Sequence, residues 1–425
     1  MPLTLSNFDP VLKDFWEPGI KEQLNNDIPA WQLFEEGGHR YSGRRAIYPI
    51  HTSRNSGVGA RAERATLPTS GNQGHELATV SATYQYGRFL VTGQTLAAGK
   101  HAWVEALTLE MEGLMNDCKV DWGRQTWGVG DGRLAQIATS ATAASGSVVV
   151  PLQNRFQRAG QPGARYISVN QVVDLGSVAN GIQAVSQTIS AISISTNPAT
   201  TTDEVTFGNS GCTFSSSQQW LYNRGAGGSG GVGLEMMGLQ GIVDQFTEAN
   251  MWGSNAFWSA NLFGIARSSV SVWNAQVMGN SGTTRVIDSY LMQTAFDNIH
   301  QETGQEADLI MSHHSVARAF WDSLVADRRY ASTAFEGGFS SLSYLGVPFK
   351  KDRLAPYNTL LIAKRSAIEK FTLKPVGFED RDGAILSRST TPADEFDGWL
   401  SYYGNMGVVG FMKSLLMIRD IRTDL

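Results

Sequence analysis

The chain has little of what marks several protein classes. Its two cysteines, Cys118 and Cys212, are too few for a disulfide framework and have no metal-type spacing, which favours a reducing compartment. No apolar run approaches the roughly 18 residues of a membrane-spanning helix, so no membrane partner is expected. The net charge of -5 lacks the basic excess typical of nucleic-acid-binding proteins.

Charge is also sparse, at 17% of residues against 42% hydrophobic ones. A chain of 425 residues has room for two or three domains with real cores. Low charge together with 45 glycines indicates loops, β-structure or surfaces buried against partners. The opening MPLTLSNFDP has no basic and then apolar run, so no secretory signal is predicted.

Residues 41–97 read as an extended two-stranded ribbon. Strands are predicted over 44–50 and 76–86, and in the second the alternation puts one set of residues on a single face: Ala78, Val80, Ala82, Tyr84 and Tyr86. The stretch between the strands holds only five apolar residues. Because a two-stranded ribbon is marginal in water and little nearby chain can cover it, we expect it to lie on another copy of the protein.

A long helix is predicted over 101–127. Its apolar stripe has spacings of 4, 4, 3, 4 and 4 and consists of Trp103, Leu107, Met111, Leu114, Cys118 and Trp122. At about 1.5 Å per residue this helix is roughly 40 Å long, a spine for the molecule. A glycine cluster at 128–132 ends it.

The rest of the chain divides into three segments with different sequence patterns. Short strands over 133–230 predict a small β-barrel or sandwich, closed by a glycine linker at 225–233. Residues 231–364 alternate helices and strands. The last sixty residues return to strands, predicted at 398–403 and 408–418 with a glycine-containing break at 404–407.

No catalytic, metal or cofactor signature is convincing. Gly225, Gly227 and Gly230 fit GxGxxG but follow a poor strand, so they are interpreted as a linker. The histidines show no ligand spacing, and adjacent His313 and His314 should point apart. The remaining candidates are interpreted as solvated carboxylates and helix packing: Glu35 with Glu36, Glu379 with Asp382, and Trp103 with Trp122 and Trp127. We therefore predict no enzyme and no cofactor.

The order of parts resembles the tailed-bacteriophage major capsid proteins with the HK-97 fold. Three stretches carry the resemblance locally: the strand and helix start at 307–315, the strand–turn–strand at 345–363, and the aromatic-glycine stretch at 399–411. It implies an α+β fold with an N-terminal arm, an E-loop ribbon, a P-domain containing the spine helix, an A-domain and a β-rich insertion. These correspond to 1–40, 41–97, 98–132 with 365–425, 231–364 and 133–230.

The same resemblance implies a function. The chain would be a major capsid protein that self-assembles into hexamers and pentamers of an icosahedral head, enclosing double-stranded DNA without reading its sequence. Expected partners are separate scaffolding, portal and cement or decoration proteins, with assembly in the host cytoplasm and location in the virion. Two alternatives stay open: an encapsulin-like nanocompartment shell, and a β-rich carbohydrate-active enzyme.

Two expectations concern contacts between subunits. Arginines at the ribbon tip are expected to pair with an acidic patch of a neighbour, the candidates being Arg54, Arg61 and Arg64 on one side and Glu379, Asp380 and Asp382 on the other. The alternative is a solvated loop, since exposed ion pairs contribute only about 0–1 kcal/mol each. Some relatives cross-link an E-loop lysine to a neighbour's asparagine, but residues 41–97 contain no lysine, which predicts a non-covalent shell.

Overall fold

The computed structural model describes residues 28–37, 41, 43–94, 102–139, 141–142, 147–154, 163–177, 181–194, 203–208, 213–214, 219–225, 234–243, 261–325, 342–380, 386–388 and 394–423. Helices and several sheets are mixed along the chain, so the expected α+β class is confirmed. The helices are α1 (Pro29–Leu33), α2 (Ala102–Thr126), α3 (Leu239–Val243), α4 (Ser289–Thr303) and α5 (His314–Val325).

Most strands are short. In chain order they are β1 (Arg45–Ser53), β2 (Gly74–Ser81), β3 (Thr83–Thr92), β4 (Arg133–Ile137), β5 (Ala141–Thr142), β6 (Val148–Asn154), β7 (Val172–Ser177), β8 (Gly181–Ser193), β9 (Asp203–Phe207), β10 (Thr213–Phe214), β11 (Gln219–Asn223), β12 (Asn261–Leu262), β13 (Ile265–Ala266), β14 (Gln276–Met278), β15 (Leu309–Ser312), β16 (Ser343–Tyr344), β17 (Val347–Lys351), β18 (Leu360–Ala363), β19 (Ile368–Phe378), β20 (Ser387–Arg388), β21 (Glu395–Val408) and β22 (Leu415–Ile418). Only β3, β8, β19 and β21 of the described strands have ten or more residues.

The long helix α2 packs against a sheet whose central strand is β21. Strand β3 pairs with one edge of β21, and β19 and β20 pair with the other. The approach is close, because a Cβ built on Gly87 of β3 would lie 2.6 Å from Cys118 Sγ of the helix. Trp122 is buried beside Trp31 and Tyr402, at ring-centroid distances of 5.8 and 5.3 Å. The tryptophans at this end of the helix therefore pack the core, as expected.

A six-stranded sheet separates two hydrophobic cores. Its strand order is β14-β22-β18-β15-β17-β16. Ile310, Ile362 and Leu416 face helices α4 and α5, whereas their neighbours along the strands face the core beneath α2. Alternate residues thus bury against both layers, which explains the almost uninterrupted apolar sequences of these strands.

Residues of the β-rich block close into a barrel of order β11-β4-β6-β9-β8-β7. The barrel has its own core, formed by the side chains that point inward from its strands, among them Val150, Val205 and Phe207. Its first and last strands pair directly, Ala135 opposite Leu221. The barrel consequently leaves and rejoins the rest of the molecule at one place.

Buried polar groups tie these units together. The carboxylate of Asp352 accepts hydrogen bonds from Trp127 Nε1 and Leu354 N, both at 2.8 Å, and burial raises its pKa. Arg124, near the end of α2, forms ion pairs with Asp121 and with buried Glu235. The end of the long helix is therefore fixed to the loop after β17 and to the segment that follows the barrel.

Two strand predictions are wrong in detail. The stretch 76–86 is split at Ala82: β2 pairs with β1, and β3 pairs with β21. The strand predicted before 404 continues to Val408, and the break falls at 409–414 instead. Strand β22, expected beside the spine helix within 365–425, hydrogen-bonds to β14 and β18 of the six-stranded sheet.

Candidate intersubunit surfaces

The ribbon formed by β1 and β2 has one face packed on its own chain. Ala46, Ala78 and Val80 are buried in the core. Tyr48 stacks on Phe371 at 5.7 Å and donates from its hydroxyl to the Val408 carbonyl at 2.6 Å, and burial raises its pKa. The expectation that the ribbon finds little cover within its own chain is therefore wrong for this inner face.

The outer face of the ribbon is uncovered. Ile47 is 56% exposed and Leu77 62% exposed, and both alternate with the buried positions. In the loop beyond the strands, Val58 and Leu67 are 87% and 85% exposed. Exposed apolar side chains concentrated on one projecting element mark a surface that another molecule can cover.

The three arginines predicted as contact residues all lie in this projecting loop. Arg54, Arg61 and Arg64 are exposed. None of the three forms an ion pair with another residue that the structure describes, and Arg61 donates only to the neighbouring Ala60 carbonyl, at 3.0 Å. Their charges are thus free to interact with a partner.

The acidic residues predicted as their partners differ among themselves. Glu379 is mostly buried and is already held by Lys374 and by Ser401 Oγ, which donates to it at 2.7 Å. Asp380 is exposed at the end of β19. Asp382 lies outside the described residues. Of the described pair, Asp380 is the carboxylate that an incoming arginine can reach.

A tyrosine surface lies near Glu379 on the β3–β21–β19 sheet. Tyr84 and Tyr86 stand edge-on to Tyr403, at ring-centroid distances of 5.1 and 5.7 Å. The two hydroxyls of Tyr86 and Tyr403 are 3.1 Å apart, and this hydrogen bond raises the pKa of Tyr86. Lys374 lies over the Tyr403 ring at 5.4 Å. Tyrosines exposed on a rigid sheet are typical of contact surfaces.

No family model and no curated protein matches the chain. Solved structures do match it. The capsid asymmetric unit of cyanophage A-1(L) aligns over 99% of this chain and 99% of that chain, with a TM-score of 0.58 and 13% identity. The capsid of a native GTA particle aligns over 97% of this chain and 96% of that chain, with a TM-score of 0.54 and 8% identity. The chain has the capsid fold.

Sequence reasoning missed the tyrosine surface of this capsid fold. The alternation at 76–86 placed Tyr84 and Tyr86 on the same face as buried Ala78 and Val80, but they are 48% and 62% exposed. The phase changes at Ala82, where the strand exchanges its partner. Gly87 and Phe89 are buried instead. A second alternation of exposed and buried residues therefore begins inside the stretch that was predicted as one strand.

The capsid fold brings together no catalytic cluster among the described residues. No group of three or more metal-binding side chains occurs among them, and no described helix is long and apolar enough to cross a membrane. A groove of about 570 Å³ beside β1 contains one carboxylate among its described lining residues, Glu302. Glycoside cleavage uses two carboxylates, so this groove does not support the carbohydrate-active alternative.

His313 and Ser315 are close but are arranged for structure. His313 Nδ1 accepts from the backbone N of Ser315 at 3.1 Å, where α5 begins. Ser315 Oγ donates to the Tyr357 carbonyl at 3.1 Å and also lies 2.8 Å from His313 Nδ1. Burial lowers the pKa of His313 to about 3. An imidazole that holds a helix start is not placed to activate a nucleophile.

Proposed function

We propose that this protein is the major capsid protein of a tailed bacteriophage. It self-assembles into the hexamers and pentamers of an icosahedral shell that encloses double-stranded DNA. The observation that carries the proposal is the likeness to the cyanophage capsid over 99% of both chains, which leaves no large part of the chain for another activity. A virion location and assembly in the host cytoplasm belong to the same proposal.

The division of the chain is part of this proposal. Residues 1–40 are the N-terminal arm, 41–97 the E-loop, 98–132 with 365–425 the P-domain, 133–230 the insertion and 231–364 the A-domain. The packing of α2 on the β21 sheet and the separate core of the barrel support this division. Strand β22 lies within 365–425 but hydrogen-bonds to β18 of the A-domain sheet.

The uncovered ribbon supports assembly from identical copies. Ribbon and loop expose large apolar side chains while the inner face is fixed to the body of the molecule. A projecting element that is rigid at its base and apolar at its outer face suits a contact made with a neighbour around a ring. The mildly acidic chain, with a net charge of -5, suits an inner wall that does not grip DNA through counterion release.

Electron microscopy of the purified protein in negative stain tests the proposal. Icosahedral shells or ring-shaped capsomers are expected, and a compact monomer at all protein concentrations would refute it. Particles recovered from an infected or producing cell are then treated with nuclease. Protected double-stranded DNA supports the phage head, whereas an enclosed enzyme would indicate an encapsulin-like shell. Separate scaffolding, portal and decoration proteins are expected to copurify with the phage particles.

The arginines of the ribbon loop are proposed to pair with Asp380 of a neighbouring copy, with Glu379 and Asp382 beside it. Substituting Arg54, Arg61 and Arg64 together by Ala should slow assembly and lower the melting temperature of the shell. A matched control replaces Arg224 and Arg318, which are exposed elsewhere. An unchanged assembly rate and an unchanged melting temperature in the triple variant would contradict this pairing.

The charge pair can be tested directly by exchange. Asp380→Arg alone should impair assembly, and combining it with Arg61→Asp should restore part of the loss if the two residues meet between copies. Such rescue is expected to be modest, because exposed pairs contribute about 0–1 kcal/mol each. Repetition around a shell multiplies a small term, so assembly is the more sensitive readout.

A further inference from the structure

Two histidines that are distant in the sequence lie directly opposite each other on the ribbon. His51 of β1 pairs in register with His75 of β2, and their ring centroids are 5.3 Å apart with an interplanar angle of 48°. Both side chains are exposed on the outer face of the ribbon. Twenty-three residues separate them along the chain, so no ligand spacing is visible in the sequence.

The hydrogen-bond pattern places this pair where opposite side chains are closest. Ala82 N donates to the Arg44 carbonyl at 3.0 Å, which makes Arg44 and Ala82 a hydrogen-bonded pair. Pairs alternate in an antiparallel ladder, so the pairs at 45/81, 47/79, 49/77 and 51/75 are the other, narrow kind. Pro49, which has no N–H to donate, and Thr79 N, which donates to Phe263, fit this assignment.

The separation of the rings fits one shared metal ion. Zinc binds a histidine nitrogen at about 2.0–2.1 Å, which puts the metal about 3.2 Å from the ring centroid. Two rings at a tetrahedral angle around one ion then have centroids about 5.2 Å apart. The observed 5.3 Å matches the centroid separation at which both imidazoles can bind a single ion.

We propose that His51 and His75 form a bidentate site for a divalent transition metal of the kind that imidazole prefers, Zn²⁺, Ni²⁺ or Cu²⁺. The two histidines supply two ligands, and water fills the remaining positions on the exposed face. Among the described residues no third metal-binding side chain joins the pair. The site is consequently an open chelate rather than a closed structural centre.

The position of the pair gives the metal a structural consequence. The regular register of the ribbon ends here, with a shift between His51 and Ser53, and the arginine loop opens beyond it. A bound ion links the two strands at the neck of that loop. The link limits how far the strands can separate and so restricts the loop that carries Arg54, Arg61 and Arg64. This consequence does not depend on the proposed capsid function.

Titration of the full-length protein with NiCl₂ or CuCl₂ tests the site. We expect one ion per chain, and for Cu²⁺ an electron paramagnetic resonance spectrum with coupling to two nitrogens. His51→Ala and His75→Ala should each weaken binding at least about tenfold, because a single imidazole loses the chelate. Both positions are exposed, and circular dichroism checks that the variants fold.

His300→Ala and His314→Ala serve as matched controls, since both residues are exposed and lie on helices α4 and α5. They should bind the metal as the unchanged protein does. The proposal is overturned if no ion binds near one equivalent, if the ribbon variants bind as tightly as the unchanged protein, or if a control variant loses as much affinity. In the unchanged protein the metal should also slow trypsin cleavage after Arg54, Arg61 and Arg64, and not in His75→Ala.

Discussion

At the scale of single residues, the clearest constraint is the contact between β3 and the long helix. A Cβ on Gly87 would lie 2.6 Å from Cys118 Sγ and 3.1 Å from Leu114 Cδ1. The strand can pass this close only because the position has no side chain. Burial of the same contact raises the pKa of the Cys118 thiol to about 12, so this sulfur packs as a neutral group.

Gly87→Ala should therefore lower the free energy of unfolding by about 1–3 kcal/mol, the usual cost of overpacking. Gly377→Ala is the matched control, because nothing lies within 4 Å of its Cβ position in strand β19 of the same sheet. Adding Cys118→Ala to Gly87→Ala makes room and should recover part of the loss. Urea denaturation of the unassembled chain measures all three, and equal stability of Gly87→Ala and Gly377→Ala would contradict the packing argument.

At the scale of elements, the sequence pattern located the long helix and several strands but not the exchanges of partner. Helix α2 and strands β15 and β18 of the six-stranded sheet follow from the apolar patterns of their own sequences. At Ala82 the neighbour changes from β1 to β21, so the buried phase changes and Tyr84 and Tyr86 become a surface. No local sequence pattern indicates which strand, hundreds of residues away in the chain, will pair with this one.

The glycines of β21 led to a wrong strand prediction for a related reason. They read as a break at 404–407, but the strand runs through them. A Cβ on Gly407 would lie 2.3 Å from the Phe371 ring, and one on Gly404 would lie 2.7 Å from the Phe371 carbonyl. These glycines admit an aromatic ring against the strand, and only the tertiary packing shows it. The His51–His75 pair was hidden similarly, since it requires the register of the ribbon.

The start of α5 predicts a dependence on pH. His313 lies against Tyr357, with ring centroids 4.1 Å apart and planes tilted by 42°, and is near the cationic or titratable side chains of Arg165, His314 and Arg318. Its folded pKa of about 3 lies below the usual 6.5, mainly because of burial. The stability that the neutral ring contributes is thus complete above about pH 6.5. It is lost as the pH falls toward 3, because the unfolded chain binds the proton first.

His313→Asn should flatten this dependence. The asparagine Oδ1 can still accept from Ser315 N at the helix start, but it does not titrate. Measured between pH 7 and pH 4, the free energy of unfolding should fall less in the variant than in the unchanged protein, by at most about 1.4 kcal/mol per pH unit. His300→Asn, at an exposed position on α4, is the control for the loss of a histidine. Identical slopes in all three proteins would show that His313 does not govern the acid response.

At the scale of the whole molecule, the barrel is the most separable part. Its buried core is separate from the other two, with Tyr166 packing against both it and the core beneath α2, and its first and last strands are hydrogen-bonded neighbours. In the segment between β6 and β7, Arg165 donates to the Ala355 carbonyl and Tyr166 to the Leu354 carbonyl, both at 2.9 Å. These contacts hold the barrel in place, and its buried core is formed by residues of the barrel block itself.

Residues 131–225 expressed alone should consequently give a folded β-domain with a cooperative thermal transition. Phe207→Ala in this fragment should remove about 3–5 kcal/mol and abolish the transition, since Phe207 is fully buried in the barrel core. Val149→Ala, at a half-exposed position on the outside, is the control and should change little. A fragment without a cooperative transition would mean that the barrel needs the long helix to fold.

The assembled particle should be held by non-covalent contacts. The ribbon and its loop, 41–97, contain no lysine, so an isopeptide bond to a neighbour's asparagine cannot begin there. The contact with a neighbouring copy is then made by burying exposed apolar side chains, namely Ile47, Leu77, Val58 and Leu67. Particles boiled in detergent should therefore run as a single band of monomer mass, and the same particles treated first with a chemical cross-linker should give a ladder. A ladder without the cross-linker would show that covalent bonds form from elsewhere in the chain.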